Sequence, residues 1–156
     1  MTDSKPAIPD KYLPFLEKVM NEAKLPDIYD ARDITVVVFR TMRDLMTTDA
    51  ANKVASELEI KESEKQEKID GDDVLLLWKD TNPLVAFLSK VRPPLKFDGD
   101  TFIRRINQES GVPRGVEAST VIKAVFSATK KELSQERIQE IASFLPDKVR
   151  IFWNEA

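Results

Sequence analysis

The chain has 156 residues, 42% of them hydrophobic and 33% charged, with a net charge of −3. That composition suits a soluble globular protein of one domain or two small packed lobes, and it lacks the positive field of a nucleic-acid binder. Cysteine and histidine are absent and there are four glycines, which excludes disulfides, thiolate chemistry, histidine acid–base catalysis and a glycine-built phosphate loop.

Residues 1–11 carry two prolines and mixed polar groups and read as a flexible leader. Nothing there resembles a signal peptide, and no stretch approaches the roughly 20 apolar residues of a membrane span. A cytoplasmic protein is expected. From Tyr12 the apolar residues Phe15, Leu16, Val19, Met20 and Ala23 fall on one helical face. Pro14 fits the first turn, and Leu25-Pro26 closes the helix.

Asp27 suits the cap of a second helix, with Asp30 and Asp33 near its positive end. A shared divalent cation at these three acids is the sharper alternative, but a calcium loop needs more ligands at tighter spacing. Ile34-Thr35-Val36-Val37-Val38-Phe39 is rich in β-branched residues and would pass for a buried strand. An internal match decides otherwise. Adding 87 to the numbers of Phe15–Leu58 brings that stretch without a gap onto Phe102–Leu145. The run then falls on Val121-Ile122-Lys123-Ala124-Val125-Phe126, where the helical period is plain. A helix of about 18 residues from near Ile28 to Met46 is predicted.

Thr47 and Ser134 occupy matching positions, and each is placed to cap a third helix. Those helices bury Val54 and Leu58 in one copy, Ile141 and Leu145 in the other. Glu59–Asp73 then holds ten charged residues in fifteen, where the second copy has only Pro146-Asp147-Lys148, a net insertion of 12 residues. It reads as a solvated loop or an extension of the third helix, closed by the turn signal Asp70-Gly71. The match resumes where Val74–Trp78 aligns with Val149–Trp153, giving each copy a short fourth helix with a tryptophan. Asn82-Pro83 opens a linking helix over 84–91, Pro93-Pro94 ends it, and Asp100 is the expected cap of the next helix.

The predicted fold is all-α, a tandem duplication of a four-helix unit joined by a short linking helix. The first repeat spans 12–81 with its charged insertion at 59–73, the link and turn 82–99, and the second repeat 100–156. Predicted core residues are Phe15, Leu16, Val19, Ile34, Val38, Phe39, Val54 and Leu58, with Phe102, Ile103, Ile106, Val121, Val125, Phe126, Ile141 and Leu145. Lys123 should stay outside while Val121 and Val125 go in. Trp78 and Trp153 read as packing groups rather than pocket walls, because they match between copies.

Phe15–Pro26, Phe102–Pro113 and Phe144-Leu145-Pro146-Asp147-Lys148-Val149-Arg150 together resemble a bacterial family catalogued as domain of unknown function 2267. Asn82-Pro83-Leu84 and Val91–Phe97 are most similar to cyanobacterial members. The resemblance implies an all-α fold and no established activity, so it brings no functional residues with it.

The candidate partner-binding residues are Lys90, Arg92, Lys96, Arg104 and Arg105. Set against Asp98 and Asp100, they give this segment a local charge of +3 in an acidic chain. Solvated loop charges are the plainer reading, and docking of an acidic protein surface or an anionic ligand the sharper one. No catalytic residue, metal site or cofactor is expected. The function read from the sequence is a non-catalytic helical interaction or regulatory module, with a homo-oligomer compatible. A small-ligand site between the repeats is the alternative, and a carboxylate- or lysine-based enzyme stands behind both.

Overall fold

A computed structural model describes residues 13–64, 78 and 94–156, with backbone alone for 59–64. The leader, the Asp70-Gly71 turn and the linking helix lie outside the described residues. Those described form seven helices and no strand. They are α1 (Leu13–Ala23), α2 (Ile28–Leu45), α3 (Thr48–Glu64), α4 (Gly99–Ser110), α5 (Ala118–Lys130), α6 (Gln135–Phe144) and α7 (Asp147–Glu155). None is long and apolar enough to cross a membrane.

Local chemistry sets the helix ends. Asp27 caps α2 by accepting from the Asp30 N–H at 3.0 Å, and its neighbours Arg32 and Asp33 pair with each other on the surface. Thr47 Oγ1 accepts from the Ala50 N–H at 3.1 Å, and Ser134 Oγ from the Arg137 N–H at 3.2 Å, so both expected third-helix caps form. α1 ends with Lys24 in the left-handed region at φ 56°, which lets the Leu25 N–H reach back to the Met20 carbonyl at 2.9 Å. Gly111 ends α4 with φ 67°. Lys24 and Gly111 are 87 residues apart.

The expected cap of α4 needs correction. Asp98, not Asp100, is the cap, accepting from the Thr101 N–H at 2.8 Å. Gly99 becomes the first helical residue because α7 lies against it. A Cβ at position 99 would come within 2.9 Å of the Lys148 Cβ. Asp100, one turn position later, instead holds the Lys148 ammonium at 2.6 Å.

The β-branched run in α2 is helical, since tertiary burial overrides its propensity. Ala31, Ile34, Thr35, Val37, Val38, Phe39, Thr41, Met42 and Leu45 are all buried, which is more than one face. The reason is packing on several sides. α2 lies most extensively against α4, and also meets α1 and α5. Conversely, α1 packs most extensively on α5. The first helix of each half thus lies across the second helix of the other. α3 meets α6, and α7 closes over α4, α5 and α6.

Every predicted core residue is buried except Ile103, which is half-buried and flanks the Phe102–Ile106 stripe of α4. Lys123 faces outward and pairs with Glu155, while Val121 and Val125 are buried, so the helical phase of α5 is as predicted. The aromatic groups form two similar triads. Phe39 lies 6.1 Å from Phe15 and 5.2 Å, edge-on, from Trp78. Phe126 lies 6.4 Å from Phe102 and 4.9 Å, edge-on, from Trp153. The buried indoles find partners too: Trp78 Nε1 donates to the Ala51 carbonyl at 3.1 Å, and Trp153 Nε1 to the Ile138 carbonyl at 3.0 Å. The insertion begins as helix, because α3 continues to Glu64.

Candidate functional site

The segment before α4 has no regular secondary structure and is pinned on both sides. The Leu95 N–H donates to the Asp44 carbonyl in the last turn of α2 at 2.7 Å, and Asp98 turns the chain into α4. Nearly two turns into α4, Arg105 reaches back to Asp44 Oδ2 at 2.8 Å, holds Glu109 at 3.4 Å, and lies over the Phe97 ring at 5.2 Å. This clamp is partly buried, with Arg105 and Asp44 side chains 22% and 13% exposed. Such a pair is better shielded from salt than a surface bridge.

The sequence-predicted cations therefore divide. Lys90 and Arg92 lie outside the described residues. Arg105 is spent on the clamp and positions the link. Lys96 and Arg104 are exposed. Arg104 donates to Thr101 Oγ1 at 3.3 Å, and among the described residues neither cation forms an ion pair with a carboxylate. Asp98, beside them, has its carboxyl pKa lowered by the Thr101 hydrogen bonds, with the Arg104 charge adding to the effect. Hydrogen bonding to Asp100 raises the Lys148 pKa, so that ammonium is also held charged.

Next to Lys96 lies a groove of about 310 Å³ that no residue pattern announced. Leu45, Pro94, Leu95, Phe97, Phe144 and Pro146 supply its apolar lining, with Lys96 and Ser143 at its polar edge. Three separated stretches build it: the end of α2, the link, and the α6–α7 corner. Leu95 remains 39% exposed there. Its available signal was two apolar residues, Leu95 and Phe97, in a stretch with no helical face to occupy. Arg150 flanks the corner, donating to the Ala142 and Leu145 carbonyls at 2.8 and 3.0 Å, where a cation suits a helix C-terminus.

Chemically, the site pairs apolar surface with exposed cations that form no ion pair among the described residues. It can hold an anionic or acidic amphipathic group, and its described side chains include no nucleophile set beside a base.

The family profile described as "Uncharacterized conserved protein (DUF2267)" matches residues 12–152. The chain belongs to that family. No curated protein matches the chain. DUF2267 membership carries no stated activity, so what this site does must be argued from its geometry.

Proposed function

We propose that this DUF2267 chain is a non-catalytic interaction or regulatory module that docks an acidic protein surface on the link before α4. The observation that carries this reading is the pair Lys96 and Arg104, exposed and without an ion pair among the described residues, on a backbone clamped by Asp44 and Arg105. A rigid display of charge favours recognition, because little ordering entropy is lost on binding. The scaffold under it is read as a tandem duplication of a four-helix unit, supported by the matching triads and the third-helix caps. The link 82–99 joins the two units, with the first spanning 12–81 and the second 100–156. A cyanobacterial-type member fits the resemblance, and a cytoplasmic location is part of the same reading.

Affinity capture from a lysate of the source cells, comparing the native chain with Lys96→Glu/Arg104→Glu, tests the reading. A partner lost on charge reversal supports it. Identical captured proteins for both chains would remove these cations from the account.

A second reading, a small-ligand site between the units, is favoured by the groove at the α2 end and the α6–α7 corner, whose volume is at the low end for ligand pockets. An octanoate-induced rise in Tm would support it.

A further inference from the structure

The groove specifies more than charge. Its lining is apolar on the sides given by Leu45, Phe97, Phe144 and Pro146, and it stays open enough to leave Leu95 39% exposed. A volume of about 310 Å³ accommodates one large side chain and part of its backbone. Among the described residues, the cations around it form no ion pair. Lys96 lines it, and Arg150, bound only to backbone carbonyls, stands at the corner that carries Phe144. Three acids adjoin the lining in sequence: Asp147 follows Pro146, Asp98 follows Phe97 and faces the Arg104 charge, and Asp44, before Leu45, is paired with Arg105.

We propose that the groove seats an aromatic or leucine side chain from an acidic segment of the partner protein, with carboxylates on either side meeting Lys96 and Arg150. This rests on the docking reading above and adds the anchor that the reading lacks. Charge alone steers an encounter, whereas burial of one apolar side chain in a pocket supplies the larger share of binding free energy. Spacing across the groove then selects partners in which the anchor is flanked, not followed at a distance, by acids.

The test is an NMR titration of the full ¹⁵N-labelled chain with three capped peptides. They are acetyl-Asp-Glu-Phe-Glu-Asp-amide, its Phe-to-Ala analogue, and acetyl-Lys-Lys-Phe-Lys-Lys-amide. The first is expected to shift the amides of Leu95, Lys96, Phe97 and Phe144 at millimolar concentration. The alanine analogue should bind about tenfold more weakly, the loss that follows from withholding a buried phenyl. Leu95→Ser, at an exposed position that folding tolerates, should weaken the first peptide alone. Equal binding of the phenylalanine and alanine peptides would overturn the anchor while leaving the charge reading intact. Equal binding of the lysine peptide would overturn the charge reading itself. Silence of those four amides with every peptide, or octanoate shifting them at lower concentration than the acidic peptide, would overturn the proposed occupant.

Discussion

The two aromatic triads and the α3–α6 seam behave differently under the same comparison. The triads repeat in residue type, ring separation and indole hydrogen bond. The seam does not repeat. Ala50, buried on α3, stands 87 residues before Arg137, whose side chain is also buried but carries a charge. Arg137 is held by Glu57 at 3.2 Å, Glu136 at 2.9 Å and Glu140. Ser134 turns the Glu57 carboxylate onto the start of α6, donating to it through both N–H and hydroxyl at 2.8 and 2.7 Å. Inside each half, one packing solution serves twice. At the α3–α6 seam the matched positions differ, and the residues that meet there are complementary instead.

If the triads are equivalent, breaking them should cost the same. Phe39→Ala and Phe126→Ala are each expected to destabilise by about 3–5 kcal/mol, and to agree within about 1 kcal/mol in urea unfolding. A much smaller loss on one side would show that its triad is poorly packed. The seam should respond less. Arg137→Ala strands Glu57 and Glu140 beside each other, yet Glu57 is 26% exposed and so partly solvated. About 2 kcal/mol is expected, less than for a fully buried pair, and Glu57→Gln should cost less again.

Two differences between matched positions predict gains. Thr35 is fully buried and its hydroxyl has no hydrogen-bond partner among the described residues, where Ile122 stands 87 residues later. Thr35→Val should stabilise by about 1 kcal/mol, read as a higher urea midpoint with unchanged slope. Lys24 holds a left-handed conformation that Gly111 adopts without strain. Lys24→Gly should stabilise by roughly 0.5 kcal/mol and Gly111→Ala destabilise by somewhat more, both read in the same assay.

The smallest effect is expected at the cap of α4. Because the folded-state pKa of Asp98 is lowered, its contribution is present above the ordinary carboxylate value of 3.8 and is lost as pH falls through the lower folded value. Asp98→Asn should therefore flatten a small part of the acid limb below that value and leave stability at neutral pH nearly unchanged. Thermal melts across that range check it.

What the sequence disclosed follows from what is local. Helix positions, the caps Asp27, Thr47 and Ser134, and nearly all the core came from period and capping chemistry, and the internal match settled α2 as a helix. The choice of Asp98 over Asp100 was not legible, since both acids precede a helical stretch. It is made by α7 pressing on Gly99, a contact from 49 residues away. The Arg105–Asp44 clamp joins residues 61 apart, so Arg105 looked as available as Lys96. Nor does an apolar face declare its partner: that α1 would lie on α5 and α2 on α4 depends on how the halves cross. The groove, built from three stretches, was invisible for the same reason.

The central claim is that the repeated core is scaffold and that the link beside it is the docking surface. Hydrogen exchange read by mass spectrometry, with and without the partner captured by the native chain, tests this most directly. Added protection is predicted over 94–105 and 143–146, with α2 and α5 unchanged. Protection centred on α2 and α5, or spread evenly over both halves, would contradict it.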